Sequence, residues 1–353
     1  MSRKILNIWI TALLTVLSVV SCEHRELLDP DDSHYVRIYL DEEIKNVTCG
    51  FYDEGLEKPE YDSPQVFRAI LASPETGEIV SERYFSNSGS DEKGRYIEGY
   101  MVAPEGTYDF LAYQLGSNVT VVRDEDDFYG MRAYTRQIND RYMEYLPATR
   151  KELNESLIVN QPDHMFHSVH ENVKVKRTVG PDTLRTASGD FFSAHSMVKS
   201  YYLQVRVTGF EYITTAVSLM SGMAGSVRMT AHEEFDQADS VHVFFGMKYT
   251  GRERLPKSSS TAATLYATFN TFGKIPDIKS IYSISFEFSL SDGSTQVEKI
   301  DITDMFDTPE VKDKQWILLE HEINIEPPSG ADIGGGLSPG VEGWKDINAE
   351  IEM

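Results

Sequence analysis

Along the second half of the chain, apolar and polar residues alternate with a period of two. Leu203, Val205 and Val207 face one way and Gln204, Arg206 and Thr208 the other; Val241, Val243 and Phe245 repeat the pattern. In "YSISFEFSL", Tyr282, Ile284, Phe286, Phe288 and Leu290 fall on one side and Ser283, Ser285, Glu287 and Ser289 on the other. This is the period of a pleated strand with one face buried. Asp292-Gly293 follows at once, a dipeptide suited to a tight hairpin turn, and Ile300 and Ile302 resume on the return strand. Ile317, Leu319, Ile323 and Ile325 form a further apolar face.

The first half carries the same signal more sparsely. Val36, Ile38 and Leu40 alternate with Arg37 and Tyr39, which predicts the first strand. Residues 96–116 read as two strands around the turn Pro104-Glu105-Gly106, the second rich in β-formers from Thr107 to Tyr113. Helical spacing shows in two places. The charged stretch 124–160, with Tyr134, Ile138, Tyr142 and Tyr145, predicts a loop with a short helix, and a second short helix is expected at Ile213 to Met220.

Several short strands separated by turns predict an all-β sandwich, and the length suits two such units. Thr, Gly, Pro and Ser cluster between 180 and 195. The expected architecture is two β-sandwich domains in tandem, 35–190 and 191–353, with short helical elements.

The first 34 residues break the pattern. Arg3 and Lys4 precede an apolar run from Ile5 to Val20, too short for a convincing membrane span and shaped like a signal peptide, 1–21. The run stops at Val19-Val20-Ser21-Cys22, which resembles the lipobox of bacterial lipoproteins. In those proteins the Cys receives a diacylglycerol and the chain is cut just before it. Cys22 is therefore the expected lipidation site, and residues 22–34, polar and acidic, the expected tether. Acyl chains contribute about 0.8 kcal/mol per buried CH2, so several on one residue anchor firmly. Once Cys22 is lipidated, Cys49 is alone and no intramolecular disulfide is possible.

Charge narrows the partners. The formal charge is −23, and becomes −25 when Arg3 and Lys4 leave with the leader. That excludes a nucleic-acid binder, which needs a basic footprint. It also argues against docking on an anionic leaflet through the protein surface. Candidate chemistry is thin. There is no G-x-S-x-G and no G-x-G-x-x-G, and Gly334-Gly335-Gly336 reads as linker. His164, His167 and His170, with Asp163 and Glu171 beside them, form the best metal candidate, but no second ligand set accompanies them. On a strand, His164 and His167 would point to opposite faces. Asp124-Glu125-Asp126-Asp127 lacks the spacing and glycine of a calcium loop. Paired carboxylates for a hydrolase are not singled out among 56 acidic residues. Tyr142 and Tyr145 are candidate sugar-stacking aromatics, or ordinary core and rim residues. No cofactor and no metal are expected.

Two longer stretches carry a family resemblance. One is "HSMVKSYYLQVRVTGFEYITTAVSLMSGMAGSVRM" (195–229), with Leu219-Met220-Ser221-Gly222-Met223-Ala224. The other is "GGGLSPGVEGWKDINAEIEM" (334–353), with Trp344 and Asp346. "TFNTFG" (268–273) lies between them, and "PEGTYDFLAY" (104–113) lies in the first half. Together with the lipobox these resemble the fimbrillin-like lipoproteins of the Bacteroidetes, in particular the minor-fimbrium anchor branch and its uncharacterised lipoprotein relatives.

The resemblance implies two transthyretin-like β-sandwich domains and no enzymatic activity. It implies contacts with fimbrial subunit proteins by β-strand addition. It also implies an outer-membrane, cell-surface location through the lipid on Cys22. In polymerising members the first strand is removed by a protease; here that strand would be Val36 to Leu40. An exchanged or capping strand would lie within Ile347 to Met353. No Arg-flanked site stands in the usual place, which favours an anchor or accessory subunit over a shaft subunit. The alternative is a surface lipoprotein of the same fold that binds a glycan or host ligand.

Overall fold

The computed structural model describes residues 33–40, 64–116, 118–149, 153, 157–177, 182–230, 239–255, 260–275 and 281–328. Cys22, Cys49 and the terminal stretch 334–353 lie outside them.

The first unit opens with β1 (Ser33–Leu40), β2 (Val66–Ala72), β3 (Ile79–Phe85), β4 (Asn87–Asp91), β5 (Gly94–Val102) and β6 (Gly106–Leu115). A crossing segment follows, containing β7 (Thr120–Arg123), β8 (Arg132–Thr135), the short helix α1 (Asp140–Met143) and β9 (Ile158–Val159). The chain then returns through β10 (Phe166–Val175), β11 (Asp182–Thr183) and β12 (Phe192–Ser196). The second unit comprises β13 (Lys199–Thr208), β14 (Ile213–Ala224), β15 (Ser226–Arg228), β16 (Ser240–Gly246), β17 (Lys248–Arg254), β18 (Thr261–Thr271), β19 (Ser283–Leu290), β20 (Thr295–Asp301), the helix α2 (Pro309–Lys314) and β21 (Trp316–Asn324).

In the first unit the strand order is β3-β2-β6-β10-β12-β1-β5-β4. β12 bridges the two layers: its first residues pair with β1 and its last two with β10. Between the layers lies a core of Val36, Ile38, Phe67, Ile97, Phe110 and Phe192. In the second unit, β17-β18-β13-β21 packs against β20-β19-β14-β16-β9. Phe245 stacks on Phe269 across that core, the ring centroids 4.3 Å apart.

The fold is all-β with short helices, as the alternation predicts. The β5–β6 hairpin turns at Pro104-Glu105-Gly106, and the β19–β20 hairpin at Asp292-Gly293. Four particulars differ. Ile213 to Met220 is not a helix but the first two-thirds of β14, a twelve-residue strand buried almost throughout. The stretch 124–160 does hold the short helix α1, but also the strands β8 and β9. Ser33 and His34, expected in the tether, are already strand. By its pairing, β12 belongs to the first sandwich, so the strands divide after Ser196 and not at 190/191.

The crossing segment ties the two sandwiches together. β8 pairs with β15 and β9 with β16, both strands of the second half. Beneath it, Ile70, Leu111, Tyr113 and Met165 from the first half share a cluster with Ala224, Met229, Phe272 and Ile275 from the second. This is why β2 is buried on both faces from Phe67 to Ala72. In "LMSGMA", Gly222 supplies the bulge of β14, where the register with β16 slips between Ser221 and Met223. Its φ is +93°, and a Cβ there would meet the Ile281 carbonyl oxygen at 2.7 Å, so only glycine fits without strain.

Candidate functional site

The strand singled out by the sequence, β1, is an integral core strand. His34, Val36, Ile38 and Leu40 point inward and are buried, as period two requires. One edge pairs antiparallel with β5 over seven residue pairs, from Ser33 opposite Val102 to Tyr39 opposite Tyr96. The other edge is parallel and shared by two short strands. β11 takes His34 and Tyr35, and β12 takes Ile38, Tyr39 and Leu40. The Leu184 N–H, just past β11, donates to the Tyr35 carbonyl at 2.8 Å.

The outward residues form a second, polar lock. Arg37 Nη2 lies 2.8 Å from Glu98 on β5 and Nη1 lies 3.0 Å from Asp91 on β4, so one guanidinium spans three strands. Arg37 Nε donates to the Tyr35 hydroxyl at 2.9 Å, and Tyr35 donates to Glu98. Burial and the bond to Glu98 push the Tyr35 hydroxyl up to about 12. The Tyr39 hydroxyl donates to Asp91 at 2.8 Å. That bond, with the Lys93 N–H and Arg37, holds the Asp91 carboxyl below its ordinary range.

A comparable lock sits on β2. Buried Arg68 forks onto both Glu82 oxygens at 3.0 and 3.1 Å, donates to the Tyr113 hydroxyl at 2.8 Å and pairs with Glu125. The two arginines of the first sandwich nearest the N-terminus are therefore both held in strands. No arginine stands between them in the sequence.

The sequence-derived candidates disperse. His164 is bonded through both ring nitrogens, to Ser196 and Ser200 at 3.1 Å each, and burial lowers its pKa to about 4. His167 Nδ1 lies 3.4 Å from the Met229 carbonyl, and His170 lies 3.2 Å from Ser168. Asp163 accepts from the Val119 N–H at 2.6 Å, and Glu171 is exposed. Within Asp124–Asp127, Glu125 serves Arg68 and Asp127 accepts from the Gly130 N–H. Tyr142 stacks on Phe244, and Tyr145 packs against the same small core, so neither is a free platform. Among the described residues no group of three or more His, Cys, Asp or Glu is placed to hold a metal. Nothing in the sequence marks Glu98 or Arg68 for these roles. Their partners lie on other strands, and only the pairing reveals them.

These features define an all-β, two-sandwich protein whose N-terminal strand completes its own core. The family model described as "Domain of unknown function (DUF5119)" matches residues 69–246, half of the chain, and the protein belongs to that family. A curated relative from Bacteroides ovatus, named "Putative fimbrium anchoring subunit Fim4B", is 22% identical over 376 residues and covers 98% of each chain. A crystal structure titled as a putative adhesin from Bacteroides ovatus superposes with a TM-score of 0.58 at 19% identity. It covers 87% of this chain and 98% of that one, and shows the shared fold. The fimbrial anchor protein Mfa2 from Porphyromonas gingivalis is a more distant likeness, at TM-score 0.42 and 13% identity over 77% and 83% of the two chains. The curated relative is of the kind that the sequence resemblance names.

Proposed function

We propose that this protein is a non-enzymatic fimbrial subunit, an anchor or accessory component that stays at the cell surface. On this reading it is held in the outer membrane by lipid on Cys22 and meets fimbrial partners through β-strand contacts. The curated relative supports the fimbrial role, since its name is that of an anchoring subunit and its similarity runs the length of both chains.

The observation that carries the anchor role is the state of β1. It pairs on both edges, buries every inward side chain and is pinned by Arg37 across to β4. A shaft subunit must surrender this strand to open a groove for its neighbour. Here the sequence between Leu40 and Val66 offers no arginine for cleavage, and Arg37 and Arg68 are bound within strands.

The test is mass spectrometry of the native protein from membranes. The expected N-terminus is acylated Cys22, with residues 33–40 retained, and Cys22→Ala is expected to move the protein out of the membrane fraction. A mature protein that begins beyond Leu40 and carries no lipid would overturn the anchor role.

A further inference from the structure

The outward face of β1, β5 and β4 is unusual for the solvent side of a sandwich. Such faces are mostly polar, yet this one carries Tyr35, Tyr39, Tyr96 and Tyr100, with Phe191 beside Tyr39. The tyrosines stand as cross-strand pairs, Tyr35 with Tyr100 and Tyr39 with Tyr96, their rings 5.6 and 5.8 Å apart. Tyr96 crosses toward β4 above Gly89, where a Cβ would meet its hydroxyl at 2.5 Å. The Arg37 guanidinium lies over the Tyr96 ring at 3.8 Å.

Two more cations converge at the end of this face. Arg185 lies 3.7 Å and Lys93 5.4 Å from the Phe191 ring centroid. Among the described residues neither forms an ion pair. The adjacent Asp190 carboxylate instead accepts from Ser188 Oγ at 2.7 Å, within a turn closed by the Thr186 and Asp190 backbones. In a chain of net charge −23, two cations that share one aromatic ring and form no ion pair among the described residues are open to an incoming anion. Like charges brought this close lower each other's stability unless an anion joins them.

We propose that this face binds an acidic polysaccharide. Sugar rings stack on the tyrosine and guanidinium planes, and carboxylates pair with Lys93 and Arg185. Flat aromatic groups interleaved with hydrogen-bonding edges suit pyranose rings, whereas an acidic peptide offers charge without a ring to stack. The site lies on the solvent side of β1, so it is compatible with a strand retained in the core.

The test is calorimetric titration of the full chain, in detergent, with polygalacturonate, dextran and poly-glutamate. Polygalacturonate is expected to bind best, and more weakly as salt rises. Neutralising Lys93→Gln and Arg185→Gln together is expected to weaken it about tenfold, the equivalent of two exposed cation contacts of about 0.7 kcal/mol each. Phe191→Ala is expected to weaken it further. Lys248→Gln, on the second sandwich, is expected to change nothing. The double variant removes both cations and leaves the Phe191 ring and the core in place, so it decides the matter even where Phe191→Ala fails to fold. Absence of binding, equal affinity for poly-glutamate, or a well-folded double variant that binds as well as wild type would each overturn the proposal.

Discussion

The crossing segment between the sandwiches turns on one buried side chain. Glu287 of β19 points away from the second core and is 2% exposed. It accepts from the Ala148 N–H at 2.8 Å, the Thr149 N–H at 3.1 Å and the Thr149 hydroxyl at 2.6 Å. These bonds pin the segment where it passes over Val217, Leu219 and Phe244. Glu287→Ala strands a buried N–H and a buried hydroxyl, each costing about 1–3 kcal/mol. The Ala148 N–H is half-buried and water recovers part of its loss.

The expected total is about 3–4 kcal/mol of local stability. Glu287→Gln keeps one acceptor but turns an amide group toward the donors, and should cost about 1–2 kcal/mol. Hydrogen exchange at Ala148 and Thr149 reads the effect directly. At about 1.4 kcal/mol per decade, Glu287→Ala should speed exchange there by roughly two orders of magnitude and Glu287→Gln by about tenfold. Thr149→Val in the Glu287→Gln background should add less than it does alone, since both touch one bond. Exchange in Glu287→Ala within about threefold of wild type would refute the latch.

Three further outcomes are expected. His164 has a folded pKa of about 4 against an ordinary 6.5, so the unfolded chain takes the proton first. Its stability contribution is complete above pH 6.5 and lost as pH falls toward 4, at an upper bound of roughly 3 kcal/mol. Urea midpoints from pH 7 to 4 should fall less steeply in His164→Asn than in wild type. Gly222→Ala places a Cβ at positive φ against the Ile281 carbonyl and should lower stability by about 1–3 kcal/mol or more, measured by urea unfolding. Arg68→Met removes the cation facing Glu82, the Tyr113 hydroxyl and Glu125 and should cost about 1–3 kcal/mol, since both carboxylates left behind reach water. Arg68→Lys should cost less, because it keeps charge but loses the fork, and thermal melting ranks the two.

The period-two signal served best where one face of a strand meets water. β1, β13 and β16 alternate in sequence and are strands in the fold, and the Asp292-Gly293 hairpin needs no tertiary information. Where both faces are covered the signal vanishes. β14 is apolar on both sides, and its Ala, Leu and Met residues read equally as a buried helix. β2 is buried on its outer face by the crossing segment, so no alternation marks it. β8 and β9 are only four and two residues long and pair with strands roughly 90 residues away, a distance no local pattern spans. The site follows the same rule. The strand β1 was legible as a strand, but its lock was not, because Arg37, Glu98 and Asp91 are joined only by the pairing of β1, β5 and β4.

On the proposed anchor reading, that lock has a mechanical logic. Were Cys22 lipidated as proposed, tension between fibre and membrane would enter the body at Ser33, through a tether of about ten residues whose reach is at most ~40 Å. It then runs along the axis of β1. β1 faces β5 through seven pairs in one register, so an axial pull loads those bonds together instead of peeling them one at a time. Arg37 adds ion pairs to two neighbouring strands at the middle of the same element. The force passes next into a body whose two sandwiches share the crossing segment, β8 with β15 and β9 with β16, and a common apolar cluster. A subunit that had to release β1 would gain nothing from fastening it to three strands at once. One that must hold a polymer at the membrane needs that strand to be the last to yield.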